Sequence, residues 1–266
     1  MKYDISICMP AHRAHLWENF YESAIGAIGP YKWEMILVGP NEPPESLRKK
    51  RNFKFFKDFG NPARCAQIAT MLAEGELMMW GSDDGIWQPE AIKQCIELHR
   101  SKNKKDVIVI RYAEGRNFSG TGMPDDYWVA KHPDGSWSNH WPDHHKVEKI
   151  KDDWMIAPVG LYNLEYFREL GGWDCRFEHL NMCCHDLTFR AQNNGSKVYL
   201  SPPLIVLNCD WNPNEGDHVP VQQAYDQNDL PLFNHIYSSD GDRIKIDYFN
   251  WTKADAIWGR RFKDIS

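Results

Sequence analysis

The chain has 266 residues, with 31 Lys and Arg against 37 Asp and Glu and a formal charge of −6 with neutral histidines. That excess of acid argues against a nucleic-acid partner, because phosphate contacts need a basic face. With 42% hydrophobic and 26% charged residues the composition suits a folded globular chain, and no apolar run reaches the roughly 18 to 20 residues that span a bilayer.

The Met1-Lys2-Tyr3-Asp4 start has no signal-peptide core behind it, so a cytoplasmic or peripherally associated protein is expected. Seven cysteines form no pair of CxxC motifs, which makes reduced thiols the expectation.

From Asp4 to Met9 apolar residues alternate with Ser6 and Cys8, which predicts a strand ended by Pro10. A helix is predicted from Arg13 to Ile28. Further strands are expected at Trp33 to Val38, closed by Gly39-Pro40-Asn41, and at Phe53 to Phe56. Asn61 and Pro62 form a helix start, with Asn61 as N-cap and Pro62 at the first helical position, and the helix stops near Gly75. Leu77 to Trp80 is predicted as a strand, Pro89 to Arg100 as a helix and Val107 to Tyr112 as a strand. Alternating strands and helices argue for a mainly parallel, doubly wound sheet, since parallel neighbours need a crossover.

Residues 113 to 153 break this rhythm and are rich in Gly, Pro, Trp, His and Asp, as a functional loop or lid would be. Helices are then expected at Tyr162 to Leu170 and at Asp186 to Asn194, with strands at Lys197 to Leu200 and at Val206-Leu207. The tail after about Cys209 is expected to wrap onto the main sheet.

Ligands of such sheets bind beyond the carboxyl ends of the strands, which singles out Pro10 to Arg13, Gly39 to Glu42 and Gly81 to Gly85. Neither a GxGxxG after the first strand nor a GxxxxGK[ST] is present, which disfavours dinucleotide redox chemistry and P-loop phosphoryl transfer. Ser82-Asp83-Asp84 supplies carboxylates of the kind Mg²⁺ uses together with phosphate oxygens. The same Asp-Asp-Gly run is also turn chemistry.

The order of Ile7-Cys8-Met9-Pro10-Ala11-His12-Arg13, Met35 to Asn41, Asn61-Pro62-Ala63-Arg64, Ala73 to Asp84 and Gly171-Gly172-Trp173-Asp174 resembles family 2 glycosyltransferases of the GT-A fold, over about residues 4 to 100 and 155 to 218. The resemblance implies one domain over 1–266. Residues 1–112 would bind a nucleotide-diphosphate sugar, 113–218 would carry the hydroxyl acceptor, a glycan, and 219–266 would be an extension. It places Pro10, Ala11, His12, Arg13, Gly39, Asn41, Glu42, Arg64, Ser82 and Asp83 on the donor, and it puts Mn²⁺ or Mg²⁺ on Asp84 with His218. The expected reaction is a metal-dependent, inverting sugar transfer.

The chain departs from the family where a Glu-Asp pair is expected before Asp-Leu and Arg, because it reads Cys183-Cys184-His185-Asp186-Leu187. A transfer to a hydroxyl needs a base. Asp186 is the nearest remaining carboxylate, with His185 second and Glu178 third. Asp186 could equally be a first-turn helix acid. Trp128, Trp137, Trp141 and Trp173 are expected on the acceptor side, where ring faces cover sugars. His140 to His145 lacks the spacing of a zinc helix or knuckle. Two other classes stay open. A sugar nucleotidyltransferase would share the sheet and the acids but should carry a Gly-rich first loop, and a non-catalytic sugar-binding protein would explain the missing pair.

Overall fold

The computed structural model describes residues 2–114, 130–131, 137–138, 157, 159–202, 206–209 and 218–254. In chain order the elements of the first half are β1 (Tyr3–Pro10), α1 (Trp17–Ile28), β2 (Trp33–Gly39), α2 (Glu45–Arg48), β3 (Phe53–Lys57), α3 (Pro62–Met71), β4 (Gly75–Met79), β5 (Gly85–Trp87), α4 (Ala91–Arg100), β6 (Val107–Val109) and β7 (Tyr112–Glu114). The second half has β8 (Ala130–Lys131), β9 (Trp137–Ser138), β10 (Gly160–Asn163), α5 (Leu164–Glu169), α6 (Leu180–Asn193), β11 (Val198–Leu200), β12 (Leu207–Cys209) and α7 (His218–Ala224). A π-helical turn (Tyr225–Asp229), α8 (Leu230–Ser239) and a 3₁₀ turn (Asn250–Lys253) follow.

Among the described residues, seven strands form the central sheet in the order β11-β6-β10-β4-β1-β2-β3. All pairings within it are parallel except those of β10, which runs antiparallel between β4 and β6. The mainly parallel α/β architecture is thus present. Alternation along the strands feeds two cores: Ile5, Ile7, Leu77 and Met79 pack with α1 and α4, whereas Cys8 and Met78 pack with α3, α5, α6 and α8. Ser6, the polar residue of β1, donates to the buried Glu34 carboxylate at 2.7 Å and so enters the sheet satisfied.

Several boundaries differ from the sequence reading for local reasons. Tyr162 belongs to β10 rather than to a helix, and Asn163 caps α5 by accepting the Tyr166 N–H at 3.0 Å. The expected strand from Val107 to Tyr112 is two strands. Arg111 gives its N–H to Ser201 at 3.0 Å and takes that of Val206 at 2.8 Å, and the chain passes into a second, three-stranded sheet, β5-β12-β7. Helix α6 starts six residues before Asp186, with His179 as its N-cap. The tail packs on α6 instead of on strands: Phe233, Ile236 and Tyr237 of α8 enter the core. Among the described residues no helix is long and apolar enough to cross a membrane.

Candidate functional site

The carboxyl ends of β1, β2 and β4 meet at one rim. The Ala11 N–H bonds to the Val38 carbonyl at 2.9 Å, and a Cβ on Gly39 would overlap the Ala11 carbonyl oxygen, so only glycine allows this approach. Asn41 donates its side-chain amide to the His12 carbonyl at 2.7 Å. Pro10, Ala11, His12, Arg13, Gly39 and Asn41 therefore lie together at this rim.

Asp83 ties β4 to this loop. Its carboxylate accepts the backbone N–H groups of His12 and Arg13, each at 2.6 Å, the Arg13 guanidinium at 2.7 Å and the Trp17 indole N–H at 3.0 Å. The loop from Arg13 to Leu16 is consequently a turn, closed by Leu16 N–H on the Arg13 carbonyl at 2.8 Å, and α1 begins at Trp17 instead of Arg13. Both oxygens of Asp83 are taken and the residue is buried. It holds the site's shape instead of facing a donor, which corrects its assignment.

Asp84 is the acid left at the rim. One oxygen accepts the Ser82 hydroxyl and the other lies 3.8 Å from Arg13 Nη1. Burial pushes its carboxyl above the usual range, Arg13 opposes that, and the Asp83 charge adds to it. Asp83 and Asp84 both face the Arg13 guanidinium, at 2.7 and 3.8 Å. No group of three or more His, Cys, Asp or Glu able to hold a metal exists among the described residues. The donor set suits a hard cation bound through one carboxylate and completed by ligand oxygens, a usual arrangement for Mg²⁺.

Glu42 and Arg64 are engaged with protein groups. Glu42 is exposed and pairs with Arg48 at 2.6 Å and Lys57 at 3.0 Å. Arg64 forms a two-point pair with Asp58, with both contacts at 3.0 Å, and donates Nη1 to the Trp251 carbonyl at 2.7 Å. Its guanidinium also lies 5.2 Å from the Trp251 ring centre. Asp58 also accepts the Gly60 N–H at 2.7 Å, and the contact with Trp251 has no signal in the sequence because no local spacing links residue 64 to residue 251.

The second half brings the clearest corrections. Asp186 is fully buried in the middle of α6 and accepts from Arg190 Nε at 2.8 Å and from the Tyr237 hydroxyl at 2.9 Å, with Arg243 Nε at 3.5 Å. Neither a base meeting a substrate hydroxyl nor a first-turn acid fits that place. His185 is equally enclosed, its ring edge-on to Phe233 at 6.3 Å. Burial raises the thiols of Cys183 and Cys184, which behave as small core residues. Trp173 is wholly buried against Phe167 and offers no face to an acceptor. Glu178 sits just before α6, nearly enclosed, with its backbone N–H on Asp229 at 2.8 Å. Trp128, Trp141, His140 to His145 and the side chains of Trp137 and His218 lie outside the described residues.

Asp174, of the Gly171-Gly172-Trp173-Asp174 run, receives Arg176 at 2.6 Å and Arg243 at 2.9 Å. Burial works to raise its carboxyl, but the two guanidinium groups overcome that and hold it down to about 2. Its folded value is depressed, so its stabilisation is complete above the unfolded value and is lost as pH falls from about 4 towards 2. The expected contribution is about 2 kcal/mol near neutrality. Urea unfolding of the wild type and Asp174→Asn at pH 2 to 7 checks this: the stability gap between them should shrink across that acid window, and a constant gap refutes the assignment.

No protein-family model matches the chain, and no curated protein is similar to it in sequence. The fold is shared with solved structures. A 1–349 piece of S. aureus TarS in complex with UDP-GlcNAc aligns with TM-score 0.57 at 14% identity, covering 98% of this chain and 74% of that one. The same piece with UDP gives 0.55 at 14% identity over 93% and 71%. A longer TarS structure gives 0.54 at 14% identity over 82% of this chain and 38% of its own, so this chain spans under half of that protein. At such identity the likeness shows the fold.

Proposed function

We propose that the chain is a nucleotide-sugar glycosyltransferase of the family 2 type, moving a sugar from a nucleotide-diphosphate donor to a hydroxyl acceptor, a glycan. One observation supports this most: the first strand-to-helix loop and the Asp83–Asp84 turn are bonded together at the strand ends, in a fold shared with a protein crystallised with UDP and with UDP-GlcNAc. Ligands of open α/β sheets lie beyond those ends.

In this reading residues 1–112 carry the donor, with His12, Arg13 and Asn41 at its edge, and residues 113–218 face the acceptor. Asp84, with His218, would hold Mg²⁺ or Mn²⁺, which supplies positive charge to a departing diphosphate. Arg13, fixed by Asp83, presents a guanidinium on the same side and offsets the same charge. Because Asp186 and His185 are enclosed, the acceptor proton falls to another group, and an inverting course would show as a product of opposite anomeric configuration by NMR.

The burial of Cys183, Cys184, His185 and Asp186 favours one second reading, a nucleotide-sugar-binding relative without transfer. Calorimetry with UDP, GDP and other nucleoside diphosphates, with and without Mn²⁺, and a turnover assay with the corresponding sugars separate the two. Asp84→Asn should cost at least about tenfold in Mn²⁺-dependent nucleotide affinity, near 1.4 kcal/mol, while leaving the melting temperature within a few degrees. A wild type that binds no nucleoside diphosphate ends both readings; binding without turnover selects the second.

A further inference from the structure

The central sheet has a second end, opposite the rim. β10 runs antiparallel to both β4 and β6, and β11 is parallel to β6, so β6 and β11 point the same way as β4. Their first residues, Val107 and Val198, therefore lie away from the rim. Two turns meet there: residues 101–106, which join α4 to β6, and residues 195–197, which lead into β11. The buried Asp106 carboxylate ties them, accepting the Asn103 N–H at 3.0 Å and the Lys197 N–H at 2.9 Å, and the Val107 N–H bonds to the Lys197 carbonyl at 2.9 Å.

This fixed corner carries Lys102, Lys104, Lys105 and Lys197, all exposed. Only Lys104 meets a carboxylate, Glu165 at 2.6 Å, among the described residues. Lys102 Nζ lies 4.7 Å from the Tyr199 ring centre and Lys105 Nζ 5.4 Å from that of Tyr166, and a ring holds an ammonium group without neutralising it. Both oxygens of Asp106 are taken by backbone N–H groups. Asp4 and Glu76 are held by Arg100 at 2.7 and 2.6 Å and belong to β1 and β4, which stand three and two strands from β6. At strand spacing that is about 10 to 14 Å, at or beyond the roughly 8 to 10 Å over which salt screens exposed charges. The chain's overall charge of −6 thus leaves this corner locally positive.

Residues 101–105 and 195–197 contain no apolar side chain. A protein partner needs an apolar centre to its interface, whereas an anionic lipid surface is held by clusters of about four to eight basic residues. We propose that the lysine corner is the docking surface for an anionic lipid bilayer. Seated on it, the chain keeps the rim turned to water, because corner and rim occupy opposite ends of the strands. The proposal is independent of the nucleotide-sugar reading.

The test is co-sedimentation with vesicles of phosphatidylcholine alone or with about 40% phosphatidylglycerol, at about 0.1 and 0.5 M NaCl. Wild type should bind the anionic vesicles at least about tenfold more tightly than the neutral ones at the lower salt and lose that preference at the higher. Lys102→Gln/Lys105→Gln/Lys197→Gln should lose about tenfold on the anionic vesicles with its melting temperature unchanged, and Glu165→Gln, which removes the exposed acid, should bind more tightly. Lys49→Gln/Arg51→Gln/Lys253→Gln takes the same charge from exposed sites elsewhere and should bind like wild type. A wild type without preference for anionic vesicles overturns the proposal, as does binding that survives the corner variant or falls equally in both triple variants. A single-stranded oligonucleotide bound through the corner more tightly than the vesicles also overturns the bilayer as partner. Vesicle docking by a wild type that binds no UDP supports the corner and counts against the nucleotide-sugar reading alone.

Discussion

Asp186→Ala should leave a chain that is substantially unfolded, not a folded enzyme with a slow chemical step. The carboxylate is fully enclosed and lies between Arg190 at 2.8 Å, the Tyr237 hydroxyl at 2.9 Å and Arg243 at 3.5 Å. Arg190 is itself wholly buried and continues to the carbonyls of Leu170 at 2.6 Å and Gly172 at 2.5 Å, so one guanidinium links α6 to the Gly171-Gly172 turn. Removing the acid strands a buried cation, and breaking such a pair costs about 3–5 kcal/mol, set against the roughly 5–15 kcal/mol that a whole domain holds. Asp186→Asn keeps an acceptor for Arg190 and should lose less. Urea midpoints and near-ultraviolet circular dichroism check this. If Asp186→Ala melted like the wild type while sugar transfer vanished, the acid would be back in the role the sequence first suggested for it.

That contrast shows which parts of the molecule were legible in the sequence. Period-two runs, Asn61 with Pro62, and the glycines after strands are local signals, and they located β1, β2, β3, α3 and β4 to within a few residues. The rim was readable for the same reason, because strand ends inherit their place from the sheet. What failed was anything decided across long separations. Asp186 looks catalytic beside Arg190 in the sequence, but its environment is set by Tyr237 and Arg243, about fifty residues on, in a tail whose helices carry no motif. Trp173 lies among polar and glycine residues, yet it is buried because Gln67 accepts its backbone N–H at 2.8 Å and draws the whole turn onto α3. The β10 strand was hidden because four residues, Gly160–Asn163, are too few to show a period and because they run against the parallel order around them.

Asp83→Ala should damage both stability and nucleotide binding, whereas Asp84→Asn should damage binding alone, although the two acids are adjacent. Asp83 satisfies four donors on three residues at 2.6 to 3.0 Å, and without it the N–H groups of His12 and Arg13, the Trp17 indole and the Arg13 guanidinium all lose their acceptor. Hydrogen bonds to a charged group contribute about 1.5–3 kcal/mol each when lost singly, and a loop that relaxes into solvent recovers part of that, so a net loss of about 3 kcal/mol is expected. The binding loss follows from geometry: once freed, His12 and Arg13 no longer meet the Asn41 side as a fixed edge, and ordering them again must be done by the ligand. The Asp84 carboxylate is not tied to that loop's backbone: it accepts the Ser82 hydroxyl and lies 3.8 Å from Arg13 Nη1. Thermal melts give the first half of the prediction and calorimetry with UDP and Mn²⁺ the second. The informative protein is Asp83→Asn, which keeps one carbonyl oxygen for the loop but presents an amide to donors that need an acceptor. It should fall between wild type and Asp83→Ala in melting temperature. If it matched wild type in stability and lost only Mn²⁺-dependent binding, Asp83 would be a ligand of the cation and the clamp account of the first loop would be wrong.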